Sequence, residues 1–128
     1  MRERSLWTLH IAAALAVLVL LGLHMAVMHL TAVLGLSSMN PAGHDPLAWE
    51  NVVHRGQQIL ITLSYLLLLG VALYHGLYGL RNILFELTAS AEYRRFLSIA
   101  LLVVGAGMFV LGSWAALAAR ATALAAGS

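Results

Sequence analysis

Hydrophobic positions fall in three long runs, about Leu6 to Leu36, Ile59 to Leu84 and Phe96 to Ala119, separated by two polar stretches. A helix needs roughly 20 apolar residues to cross the hydrocarbon core of a bilayer, and each run reaches that length. The pattern predicts an all-α integral membrane protein. It forms one domain over 1–128, with three transmembrane helices at about 6–36, 57–87 and 93–120.

The polar stretches set the element ends. Ser37 to Glu50 holds both prolines, and Asp45-Pro46 reads as an N-cap followed by proline at the first helical position. Helix two is therefore expected to start near Pro46, outside the membrane, and to run through Trp49 and Gln57 into the bilayer. The second connection, Thr88 to Ala91, is short and implies antiparallel neighbours. Ser90 can cap the third helix, with Glu92 favoured in its first turn by the helix dipole. That helix carries Gly105, Gly107, Gly112, Ala115, Ala116 and Ala119, small residues that allow close helix approach in lipid. Trp49 and Trp114 sit near span ends and read as interfacial belt residues.

Composition narrows the class. With 62% hydrophobic and 9% charged residues in 128, a soluble domain cannot hide its apolar surface. The absence of cysteine excludes disulfides, thiolate-held iron–sulfur clusters and c-type haem attachment on this chain. The net charge of +2 carries no lysine and does not point to nucleic acid. Arg2 and Arg4 before an apolar run superficially resemble a signal peptide. The run is too long for that and lacks a small-x-small end, so it is read as a mature span. Arg2, Arg4, Arg81, Arg94 and Arg95 fall on one side, Arg55 and Arg120 on the other. The positive-inside rule then places the N-terminus and the second connection in the cytoplasm.

Two histidines lie deep inside the apolar runs, His24 in the first and His75 in the second. An ionisable side chain at membrane depth is costly and is a functional hypothesis by default; neutral imidazole is also a good ligand for haem iron. Counted from Trp7, His24 lies ~25 Å across, near the outer face. Counted from Arg81, His75 lies ~9 Å from the inner face. The difference of ~16 Å exceeds the roughly 4 Å between nitrogens that share one iron. If both are ligands, there are two haems, each taking its second ligand from elsewhere. Gly79 at i+4, Ala72 at i−3 and the adjoining Gly76 offer relief for a flat ring beside His75, and Arg81 can pair with a propionate. In each helix the Nδ1–H is expected to donate one turn back, to Val71 or Leu20.

Alternatives remain open on the residues alone. Each histidine can simply hydrogen-bond to a neighbouring helix. His10 nearly matches His75 in depth, so a His10–His75 haem within one chain is a rival arrangement. His29 reads as an interfacial polar residue, His44 and His54 as solvated, Met25 and Met28 as packing. A transporter or proton relay through His10, His24, His29 and His75 would need acidic partners at membrane depth. Asp45, Glu50, Glu86 and Glu92 all lie near or beyond the span ends.

The segment Tyr74-His75-Gly76-Leu77-Tyr78-Gly79-Leu80-Arg81, followed by Glu86, resembles a motif of complex II membrane anchors. These are the haem b subunits of succinate dehydrogenase and quinol:fumarate reductase. That family carries His-x-x-x-Gly-hydrophobic-Arg at the cytoplasmic end of its second span, then an acidic residue. Trp7 near the start of the first span, and Gly22-Leu23-His24-Met25 towards its end, are also similar to the family. The resemblance implies half of a heterodimeric helix bundle in a prokaryotic cytoplasmic membrane. It implies haem b, one or two and shared with a sister anchor chain, with His75 on the proximal and His24 on the distal iron and Gly79 and Arg81 beside the cofactor. It further implies a flavoprotein subunit, an iron–sulfur subunit, ubiquinone or menaquinone, and a non-catalytic role in passing electrons. A haem-free structural anchor of the same complex is the alternative. Where many family anchors carry quinone-pocket Arg and Ser, this chain has Ile11-Ala12-Ala13, and Leu87 stands where others have Tyr. The local quinone candidates that remain are Trp7, His10 and Arg81.

Overall fold

The computed structural model describes residues 2–30, 33 and 39–126. It contains four described helices: α1 (Arg2–His29), α2 (Trp49–Gln57), α3 (Ile59–Glu86) and α4 (Ala91–Ala126). Three of them, α1, α3 and α4, are long and apolar enough to cross a membrane. The expected first span reaches Leu36, but residues 31–32 and 34–38 lie outside the described residues. α4 is longer than its apolar run: its 36 residues extend about 54 Å, well beyond a hydrocarbon core of about 30 Å.

α3 is the middle helix. α1 packs on one side of it and α4 on the other, and α1 scarcely meets α4. Both seams are antiparallel. Along the first, Leu6 and His10 meet Tyr74 and His75, and His24 meets Tyr65. Along the second, Leu69 lies against Gly112, Gly70 against Phe109, Leu77 against Gly105 and Arg81 against Ser98. The glycines make this seam close: a Cβ at Gly105 would stand 2.5 Å from Leu77 Cδ1, and one at Gly112 2.7 Å from Leu69 Cδ2. Gly107 faces open space instead. The small-residue expectation for the third span therefore divides, with Gly105 and Gly112 in the seam and Gly107 outside it.

Burial is inverted relative to a soluble domain. Among the described residues the buried apolar side chains are Ala13 and Ala123, whereas Asn40, Asn51, Arg55 and Thr62 are all buried. Large apolar side chains such as Leu18, Leu102, Leu111 and Trp114 are about 70% exposed. That distribution suits a chain whose outer surface meets hydrocarbon and whose polar groups must find partners internally.

The expected continuous second helix is two helices. Gln58 is extended (φ −84°, ψ 111°) and separates α2 from α3. The break leaves C-terminal carbonyls of α2 without helical partners, which is costly unless another donor reaches them. Arg120 of α4 is that donor, with Nη1 2.9 Å from both the Gly56 and the Gln57 oxygen. Gln57 Nε2 also donates to the Ala123 carbonyl at 3.2 Å. The start differs as well. Asp45 Oδ1 accepts from Leu47 N at 2.9 Å, a local turn, and the helix begins at Trp49 with no side-chain cap at Ala48. At α4, Ser90 Oγ accepts from Tyr93 N at 3.4 Å, as a cap should.

The loop before α2 is organised by Asn51, which has no exposed surface. Its Oδ1 accepts from Ala42 N at 2.9 Å, and its Nδ2 donates to Asp45 O at 2.7 Å and to Gly43 O. Gly43 turns the chain at φ +107°, where a side chain would be strained. Arg55 donates to Asn40 Oδ1 and Pro46 O, and Asn40 Nδ2 donates to Val27 O at the end of α1. His54 is half-buried rather than solvated: Gln58 Nε2 donates to its Nε2 at 2.8 Å.

Candidate functional site

The histidines of the apolar runs occupy two levels of the α1–α3 seam. At the first level His10 and His75 are stacked, ring centres 4.3 Å apart and planes 4° from parallel. Tyr78 lies 5.0 Å from His10, and the Tyr74 hydroxyl donates to the Leu6 carbonyl at 3.1 Å. At the second level His24 meets the ring of Tyr65 edge-on at 5.3 Å. Tyr65 precedes His75 by ten residues on α3, so the levels are about 15 Å apart. His24 and His75 are not brought together.

The helix positions explain the first level. α1 rises with the chain while α3 descends, so residues of matching depth face each other, and Gly79 lies beside the imidazole. A Cβ at Gly79 would stand 3.7 Å from His10 Cε1. The relief expected beside His75 is thus filled on this side by His10, while Gly76 faces open space.

The nitrogens differ in what they hold. His75 Nδ1 lies 3.4 Å from the His10 carbonyl, rather than bonding back to Val71. A carbonyl only accepts, so Nδ1 is the donor in this contact, and Nε2 is left as the nitrogen that could ligate. This is how a ligating imidazole is held by its other nitrogen. His10 Nδ1 and His24 Nδ1 are buried with no hydrogen-bond partner among the described residues, so His24 does not bond back to Leu20. His24 opens on two cavities, one of about 230 Å³ lined with Leu20, Val27, Ser64 and Tyr65, the other of about 280 Å³ shared with Arg55 and Arg120.

The geometry separates the haem arrangements open to one chain. Imidazole lone pairs lie in the ring plane, and two rings on one iron point nitrogens at each other across about 4 Å. Stacked rings present faces, not nitrogens, so His10 and His75 as placed cannot hold the same iron. His75 with its fixed tautomer, and His24 with a free buried nitrogen beside a cavity, each fit a single axial ligand. A second ligand would come from outside these pairs.

Arg81 projects away from His75, on the α4 side of α3. Its Nε donates to Ser98 Oγ at 3.2 Å, and its guanidinium lies 4.1 Å from the Phe85 ring centre. Tyr78 stands between His10 and Arg81, 5.8 Å from the latter. Trp7 is 60% exposed on α1. Of the three quinone candidates, Arg81 lines the α3–α4 groove, whereas Trp7 and His10 line neither that groove nor the two cavities beside His24.

Sequence reasoning gave no role to Tyr65, Ser98 or Asn51, and used Arg55 only to set the orientation. Ser98 has a signal in retrospect. The antiparallel hairpin pairs residues equidistant from the turn at Thr88–Ala91, which opposes Ser98 to Arg81. No family model, curated protein or solved structure matches the chain.

Proposed function

We propose that this chain is a membrane anchor and haem b-binding electron-transfer subunit of a succinate:quinone oxidoreductase. It would sit in a prokaryotic cytoplasmic membrane with its N-terminus inside, paired with a sister anchor chain. A flavoprotein and an iron–sulfur subunit would dock on its cytoplasmic side. His75 is assigned to the proximal iron and His24 to the distal iron, each completed from the sister chain. Bound haem would supply a one-electron carrier between iron–sulfur cluster and membrane quinone.

The observation that carries this reading is the pair of levels, with His24 and His75 on one seam and one iron unable to serve both. The chain's own work is positional. The His10 carbonyl fixes the tautomer of His75. Tyr65 orients His24 by its ring edge. The apolar faces exclude water, and the haem potential would follow from ligand identity and burial. One feature favours a haem-free structural anchor of the same kind of complex: His10 covers one face of His75 and fills the space beside Gly79.

The reduced-minus-oxidised optical spectrum decides between them. The purified complex should show a b-type band, reduced in His75→Ala and, separately, in His24→Ala, with a haem-to-protein ratio of two. A spectrum without b-type absorbance would leave the structural anchor, and a b-type band unchanged in both variants would defeat the assignment of the haem to His75 and His24.

A further inference from the structure

The α3–α4 seam holds a groove of about 380 Å³ that His10, His24 and His75 do not line, although it shares Tyr74 and Tyr78 with the first level. It runs from Arg81 and Ser98 at one end to Gly70 and Phe109 at the other. The eleven helical steps from Gly70 to Arg81 on α3 cover about 16 Å. Half of a hydrocarbon core is about 15 Å, so the groove is one leaflet deep. Leu101, Leu102 and Ala106 make its wall apolar, and Tyr74 and Tyr78 stand near the Arg81 end.

Arg81 lines that end, Arg94 stands beside it on the ring of Phe85, and among the described residues neither pairs with a carboxylate. The guanidiniums of Arg81 and Arg94 lie 4.1 and 5.5 Å from the centre of the same ring, Phe85. Arg81 donates to Ser98 Oγ and Asn82 Oδ1, and Arg94 to the carbonyls of Thr88 and Phe85, all neutral acceptors. Two cations held on one ring at the mouth of an apolar groove complement an anion that carries a long hydrocarbon tail.

We propose that this groove binds an anionic phospholipid. Its phosphate bridges Arg81 and Arg94, and one acyl chain lies along α3 towards Gly70. A quinone head is neutral and would leave both charges without a counterion. A soluble anion would have no use for a leaflet-deep apolar channel. The proposal does not depend on haem.

The test uses the full chain, reconstituted in vesicles of equimolar phosphatidylglycerol and phosphatidylcholine with the same acyl chains. After extraction, native mass spectrometry counts the lipids retained. Phosphatidylglycerol should be retained over phosphatidylcholine by about tenfold, as two arginines at a membrane surface allow. The double variant R81Q/R94Q should lose that selectivity. Arg95→Gln, the exposed neighbour of Arg94 on the same helix, should keep it. Ala106→Phe, which narrows the wall without touching either arginine, should lower retention of both lipids. Equal retention by the parent chain overturns the proposal. So does selectivity that survives R81Q/R94Q, or a loss in Arg95→Gln as large as in the double variant. Displacement of phosphatidylglycerol by stoichiometric ubiquinone would give the groove to quinone instead.

Discussion

His10 and His75 stack face to face across the α1–α3 seam, and the carbonyl of His10 holds the Nδ1 of its partner. One residue therefore contacts His75 twice, through its ring and through its backbone, and only the ring contact depends on the side chain.

That division gives a first prediction. His10→Ala removes the stack but keeps the carbonyl, and should lower stability by about 1 kcal/mol, the scale of an aromatic pair. His10→Phe restores a flat ring and should recover most of the loss. Equilibrium unfolding of the purified chain in detergent measures both. Equal stability of the alanine and phenylalanine variants would mean that the stack contributes nothing.

The α3–α4 seam supports a contrast between two glycines on one helix. A Cβ at Gly112 already meets Leu69 at 2.7 Å, so Gly112→Leu must push the helices apart or force Leu69 from its rotamer. Overpacking of that kind costs about 1–3 kcal/mol. Gly107 has nothing within 4 Å, and Gly107→Leu should be neutral or mildly stabilising through its better helix propensity. The same unfolding measurement ranks them, and a Gly107 variant as damaged as the Gly112 variant would contradict this packing.

How far the sequence reaches follows from these seams. Three apolar runs predict three long helices because span length is set by the bilayer and is read directly from composition. The short Thr88–Ala91 connection predicts an antiparallel hairpin, and its register brings Arg81 to Ser98. Counting depth also sets His24 and His75 on different levels and makes His10 a neighbour of His75. What the count cannot give is rotation about the helix axis. Depth alone leaves His10 free to face His75 as a co-ligand or as a stacked ring, and leaves Arg81 free to face either seam. The break at Gln58 was hidden for another reason. Its carbonyls are satisfied by Arg120, more than sixty residues away, and no local pattern reports a donor from a distant helix.

Arg120→Met tests that long-range cap. Methionine keeps much of the apolar stem and removes every donor, leaving the Gly56 and Gln57 carbonyls without their partner. An unsatisfied, partly buried carbonyl costs about 1–3 kcal/mol. Limited proteolysis should show faster cleavage near Gln57–Gln58, with the cores of α3 and α4 still protected. Unchanged cleavage there would show that another donor, or water, serves the break equally well.

Asn51 is the sharpest test of the polar loop, because it is fully buried and its amide serves three backbone groups. Asn51→Leu preserves volume but strands the Ala42 N–H and the Gly43 and Asp45 carbonyls. At roughly 1 kcal/mol for each lost bond, the loss should be about 3 kcal/mol, and larger if no water replaces the amide. Glu50→Ala, at the exposed neighbouring position, should stay within about 0.5 kcal/mol. The damage should be local. The hydrogen bonds of Asn51 go to Ala42, Gly43 and Asp45, outside the transmembrane seams, so helix content by circular dichroism should persist while amide exchange at residues 40–48 accelerates. A uniform rise in exchange across α3 and α4 would instead make the loop a keystone of the whole helix layer, and the separation of polar cap from apolar seams would fail.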